Sequence, residues 1–200
     1  DLDAVAISRD YENNGPGMTF FDDFLTPEAL QALRRFLLES TIWFENDYSG
    51  GYLGALLTDG LACPLLFQIA EELRVTFPEI IKDYRLCQLW AYKYESRLPG
   101  INIHADFAAV NMNFWITPDD ANLNPATGGL IVYDKEAPLD WDFVSYNQNS
   151  GKINAFLSEH GSGKMVAPYA ANRAVMFNSN LFHETDEFDF KDGYENRRIN

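Results

Sequence analysis

The stretch INIHADFAAVNMNFW, residues 101–115, decides how this chain is read. It places His104, one of 3 histidines in the sequence, two positions before Asp106, and then turns apolar with a period of two. Alternation of that kind predicts a half-buried β-strand, in which residues i and i+2 share a face. His104 and Asp106 then present an imidazole and a carboxylate side by side. Burying a carboxylate is costly unless a cation or several donors meet it. A divalent metal supplies the cation, but two ligands make a weak site, so a third is needed from elsewhere in the chain.

His183 is the candidate. It follows the apolar strand RAVMF (173–177) in FNSNLFHETDEF (177–188), at a strand end or edge. His160, in SEHGSG (158–163), reads as the last turn of an exposed helix, where the helix dipole accounts for it without a metal. Two histidines and one carboxylate on one face, with the other face open, form the ligand set of non-haem Fe(II) oxygenases. A core histidine bonded to an aspartate is the plainer alternative.

Around this stretch the chain divides in two. FLTPEALQALRRFLLEST (24–41) has Thr26 as N-cap and Pro27 at the first helical position, and CPLLFQIAEELRVTFPEI (63–80) repeats the device with Pro64. The glycine-rich NDYSGGYLGALLTDG (46–60) between them predicts a loop. From Leu86 the period changes. LCQLWAYKY (86–94) is a strand with Tyr92 and Tyr94 on one face, and AVNMNFWIT (109–117) is another with Asn111 and Asn113 on one face. LIVYD, KMVAPY, RAVMFNSN and FHETDEF follow as short strands, and NRRIN (196–200) opens a further one. The expectation is one α+β domain over 1–200, with a helical support region at 1–85 and a β-sandwich or barrel core at 86–200.

Composition sets the bounds. The chain has 200 residues, 46% hydrophobic and 14% aromatic, which is a globular composition. Its 30 acids against 15 bases give a net charge of −15, which repels phosphate backbones and argues against a nucleic-acid partner. The 2 cysteines, Cys63 and Cys87, form no CxxC pair and predict reduced core thiols of a cytoplasmic protein. No apolar run approaches the roughly 18 residues of a membrane span. The first residue is Asp1, which leaves room for a removed targeting segment or a further domain.

Two more elements arrive in order. Gly128-Gly129 gives a close backbone turn into a strand, and Arg197-Arg198 stands where a strand begins, placed to clamp a carboxylate bidentately. Offsetting acids such as Glu195 is the other role open to that pair. The sequence His104-x-Asp106, Gly128-Gly129-x-Ile131, His183, Arg197-Arg198 resembles the iron(II)- and 2-oxoglutarate-dependent dioxygenases, from about Leu86 to Asn200. KYESRLPGINIHADFAAVNMNFWITPDDANLNPATGGLIVYD (93–134) is similar to a bacterial, prolyl-hydroxylase-like branch often found beside tetratricopeptide repeats, though this chain shows no such repeat.

The resemblance implies a double-stranded β-helix, or jelly roll, with the N-terminal helices packed on one sheet. It implies Fe(II) held by His104, Asp106 and His183, and 2-oxoglutarate chelating the iron while its distal carboxylate meets an arginine. Arg198 is the first choice and Arg197 the alternate. Arg198 and Asn200 share a face, echoing an R-x-S pattern with Asn in place of Ser. Tyr94, or Tyr92 in its stead, assists the cosubstrate, and Asn113 is a further partner for its carboxylate. The implied reaction uses O2, with ascorbate supportive, and yields succinate, CO2 and a hydroxylated small molecule or protein side chain. Phe107, Phe114, Trp115, Phe177 and Phe182 are candidates for an aromatic wall that excludes water. Arg97, the glycine-rich loop and DWDFVSYNQNSGK (140–152) are candidates for the border of a substrate cleft. The competing classes are a cupin-like metal protein without 2-oxoglutarate, and a silent jelly-roll binding module.

Overall fold

A computed structural model describes residues 2–13, 17–48, 50–96 and 98–200. The N-terminal part supplies α1 (Ala4–Asn13), β1 (Met18–Phe21), α2 (Pro27–Glu39), β2 (Tyr52–Leu56), α3 (Pro64–Thr76) and the single turn α4 (Pro78–Ile81). The remainder supplies β3 (Trp90–Tyr94), β4 (Val110–Phe114), β5 (Leu130–Glu136), α5 (Ser150–Glu159), β6 (Lys164–Ala167), β7 (Ala174–Asn178) and β8 (Leu181–Thr185). The α+β reading holds. Thr26 caps α2 by accepting from the Ala29 amide, as its position predicts.

Three antiparallel sheets form, in the orders β1-β7-β4, β2-β3 and β6-β5-β8. The first two are joined through the C-terminal residues. Tyr92 exchanges both backbone hydrogen bonds with Asn200, Tyr94 donates to the Arg198 carbonyl, and Ile116 donates to that of Ile199. Residues 198–200 therefore lie between β3 and β4.

Side-chain alternation sorts the core into layers. On β7, Val175 and Phe177 face β5, β6 and β8 together with Met18, Trp115 and Val132. Ala174 and Met176 face the other way, against Phe77 and Ile80. Helices α2 and α3 bury Leu33, Leu37 and Leu66 against Ala55, Ala91 and Ile199. Lys93, on the face of β3 opposite Tyr92 and Tyr94, is buried against this helical layer and donates to the Leu37 carbonyl and the Tyr194 hydroxyl.

The structure corrects several expectations. The 46–60 stretch is not all loop: Tyr52–Leu56 pairs with β3, and Gly54 sits opposite Tyr92 with Glu45 and Tyr48 packed over it. A glycine inside a strand marks such a close approach, and its turn-like character hid the strand. The region 1–85 is accordingly not only helical, since it holds β1 and β2. Of the two cysteines, Cys63 packs half-buried beside the α2–α3 layer, but Cys87 is exposed. Most of 101–109 is not strand; only His104 forms a bridge, with His183. Residues 140–152 are ordered into a π-helical turn at Val144–Gln148 and the start of α5.

Gly129 occupies a position that admits no side chain. A Cβ there would lie 1.9 Å from the Ala167 carbonyl oxygen and 2.9 Å from the Tyr169 amide. Both are backbone atoms of a paired strand and its exit, and neither can turn aside. Gly129→Ala is expected to cost about 3 kcal/mol of folding stability, read as a lowered urea midpoint at unchanged slope.

Candidate metal centre and its cavity

His104 and His183 face each other across a two-residue antiparallel bridge, with amide-to-carbonyl distances of 3.0 and 2.8 Å. Their rings lie 4.2 Å apart between centroids. The Asp106 amide donates to the Ser179 carbonyl at 3.1 Å, which turns its carboxylate toward both imidazoles. Asp106 Oδ1 is 3.7 Å from His104 Nε2, and Oδ2 is 3.4 Å from His183 Nε2. One ligand atom from each of the three residues lies within 4.8 Å of the others.

The hydrogen bonds behind the rings decide which nitrogen faces inward. His104 Nδ1 is 2.8 Å from the Asn102 carbonyl, and His183 Nδ1 is 2.9 Å from that of Leu181. A carbonyl only accepts, so each Nδ1 carries the proton and each Nε2 directs a lone pair into the site. Burial, together with the neighbouring His183, pushes the His104 imidazole down to about 4, although Asp106 pulls it the other way. Burial alone raises the Asp106 carboxyl. The hydrogen bond and charge of His183, the charge of His104 and the Asn111 amide outweigh this and hold it at about 2. A neutral imidazole and an ionised carboxylate are the forms a metal requires, so the donor set fits a divalent ion.

Asn111 had no assigned role in the sequence. Its Nδ2 donates to Asp106 Oδ2 at 2.6 Å and fixes the carboxylate from β4. The period-two pairing with Asn113 inside an apolar strand was the available signal. Asn111→Leu is expected to weaken Fe(II) binding about 10- to 100-fold, measured by competitive chelator titration.

A cavity of about 310 Å3 is lined by this triad and, toward α3, by Leu66, Ile69 and Leu73. Its polar end holds the triad, Tyr92, Tyr94, Asn113, Thr185, Arg198 and Asn200. Arg198 is 1% exposed. It donates to the Gly128, Gly129 and Asn200 oxygens at 2.8, 3.1 and 2.8 Å, and its guanidinium carbon lies 4.6 Å from the Tyr94 ring centre. No carboxylate pairs with it among the described residues. Tyr94 is buried beneath it with Thr185 and Asn200 as neighbours, and burial pushes its phenol up. Asn113 accepts from Asn200 at 2.7 Å, while its own Nδ2 has no partner. A buried cation without a counter-ion beside an unpartnered amide donor suits an anionic ligand.

The remaining candidates separate cleanly. Arg197 points outward and pairs with Glu95 at 2.7 Å, not into the cavity, because neighbours in an extended strand face opposite ways. Glu195 contributes only its carbonyl, to Arg34. Tyr92 lines the cavity but packs edge-on against Tyr48 and Tyr52. Of the aromatic-wall residues, Phe177 meets His183 edge-on at 4.8 Å. Phe107 is 89% exposed, Trp115 and Phe182 are core, and Phe114 packs on Phe24 while also lining the cavity. His160 ends α5 and bonds the Phe156 carbonyl, away from the triad. Arg97 lies outside the described residues.

No protein-family model and no curated protein matches the sequence. Solved structures do. A prolyl-4-hydroxylase of Pseudomonas putida aligns over 98% of this chain and 94% of its own, with a TM-score of 0.60 and 14% identity. The epimerase SnoN of nogalamycin biosynthesis, solved with Fe3+ and alpha ketoglutarate, aligns over 98% and 80%, with a TM-score of 0.63 and 12% identity. An oxidoreductase of the 2OG-Fe(II) oxygenase family from Burkholderia pseudomallei aligns over 100% and 87%, with a TM-score of 0.59 and 11% identity. The chain therefore has the fold of the 2-oxoglutarate–Fe(II) oxygenase superfamily. Among the described residues, no helix is long and apolar enough to cross a membrane.

Proposed function

We propose that this protein is an Fe(II)- and 2-oxoglutarate-dependent dioxygenase that hydroxylates a small molecule or a protein side chain, releasing succinate and CO2. One observation carries the reading. The cavity that holds His104, Asp106 and His183 also holds a buried arginine with no carboxylate partner among the described residues. In this reading the facing sheets are the two halves of a double-stranded β-helix, α1–α4 brace one of them, and 1–200 act as one domain.

His104 and His183 through Nε2, and Asp106 through its carboxylate, would hold Fe(II). When bound, the ion supplies an oxidising centre for a C–H bond, with O2 and 2-oxoglutarate as co-reactants and ascorbate as a supportive reductant. Arg198 receives the distal carboxylate of the cosubstrate, supported by the Asn113 amide and the Tyr94 hydroxyl, with Asn200 orienting both Asn113 and the guanidinium. Phe177 shields the His183 ring from water. Tyr92, which lines the same cavity, is the alternate to Tyr94 in supporting the cosubstrate. The net charge of −15 disfavours a nucleic-acid substrate, and two cysteines without a CxxC pair suit a cytoplasmic protein.

The test is anaerobic titration of the Fe(II)-loaded protein with 2-oxoglutarate. A visible metal-to-ligand charge-transfer band that saturates at about one equivalent is expected. Its absence, with iron bound, overturns the cosubstrate assignment.

A further inference from the structure

A single residue separates His104 from Asp106, which raises the question of what fixes the spacing of the two. His104 spends both backbone groups on His183, and the Asp106 amide goes to Ser179. Ala105, between the two, is fully buried. Its amide donates to the Tyr146 carbonyl at 2.9 Å, and its carbonyl accepts from the Asn147 side-chain amide at 2.9 Å. Both polar groups of the residue joining the two ligands thus end on the π-helical turn Val144–Gln148.

The side chains repeat the arrangement. His104 and Asp106 point into the cavity, while Ile103 and Ala105 point away, into a cluster with Phe182 and with Ile153 and Leu157 of α5. The turn is itself fixed. Asp142 accepts from the Ser145 amide at 2.9 Å, Lys152 bonds the Ser145 hydroxyl at 2.9 Å, and Asn149 caps α5.

Resting on the metal reading above, we infer that Asn147 is a positioning residue: by holding the Ala105 carbonyl it sets the separation of His104 and Asp106, so the 142–160 segment is part of the metal centre. Nothing in the family pattern of the sequence marks this residue. A bond between an amide side chain and a buried carbonyl leaves that carbonyl unpaired when the donor is removed. Without that bond the spacing of the two ligands is no longer fixed from the turn.

The experiment uses Co(II) alone as probe, so that it needs no substrate and no turnover. Asn147→Asp keeps the shape and removes the donor; Asn147→Ala removes the donor without adding charge. Both are expected to weaken Co(II) binding about 10- to 100-fold and to alter the ligand-field spectrum. The melting temperature of each variant is measured with and without Co(II). A smaller metal-dependent increase than in the native protein supports positioning, even if the metal-free variant is less stable. An unchanged increase, with the melting temperature lowered equally in both conditions, overturns it, since the role is then only structural. If the native protein itself fails to bind Co(II), the metal reading falls and this inference with it.

Discussion

Asp106→Ala is expected to give a folded protein that retains no iron. The native chain should hold about one ferrous ion, and the variant should lose at least about a thousandfold in affinity, because it removes the only anionic ligand. Two neutral imidazoles leave the ion's charge uncompensated in a site where His104 is already held to about 4 by burial and the neighbouring His183. The metal-free variant should still fold. Asp106 touches the two histidines and Asn111 rather than the apolar core, and its backbone bond to Ser179 survives. His183→Ala should match it in metal loss but cost more stability, because that ring is buried against Phe177. Metal analysis after gel filtration, with circular dichroism as the check on folding, reads both. Iron retained at the native level by Asp106→Ala would remove the triad from consideration.

The second large effect falls on Arg198. Arg198→Lys is expected to weaken 2-oxoglutarate binding about 100-fold, because the bidentate fork is lost although the charge is kept. The guanidinium bonds Gly128, Gly129 and Asn200 from three nitrogens while lying over Tyr94. An ammonium has neither the spread nor the flat face to do so. Fe(II) affinity should stay native, which separates this variant from those of the triad. Arg198→Met would also remove the donor from the Gly128 carbonyl, at about 1–3 kcal/mol, so it should be less stable as well as unresponsive to 2-oxoglutarate. Arg197→Met is the contrast. Its partner Glu95 is 46% exposed, and a solvent-exposed ion pair is worth at most about 1 kcal/mol. Cosubstrate affinity should shift by less than about threefold. Titration of the charge-transfer band measures all three, and a native response from Arg198→Lys would sink the assignment.

Much of the site was legible because its information is local. His104 and Asp106 are two residues apart, so any locally extended backbone puts them on one side, even though the stretch proved to be a bridge and a bend rather than a strand. Tyr92 with Tyr94, and Asn111 with Asn113, fell on common faces for the same reason. The starts of α2, capped by Thr26, and of α3, marked by Pro64, were equally local. What misled was also local: the glycines of 46–60 read as loop, yet Gly54 is there because Glu45 and Tyr48 close over the strand.

The sequence by itself determined the ligand types, their pairing by alternation, the helix starts and the α+β class, since each depends on chemistry within a few residues. Only the tertiary structure decided that His183 meets His104 across a bridge, that Arg198 turns inward while Arg197 turns out, and that Ala105 is held from the turn around Asn147. Those are encounters between segments far apart in the chain. Their geometry is set by the burial of Phe177, Phe182 and Ile153 around them, and no spacing within one segment encodes it.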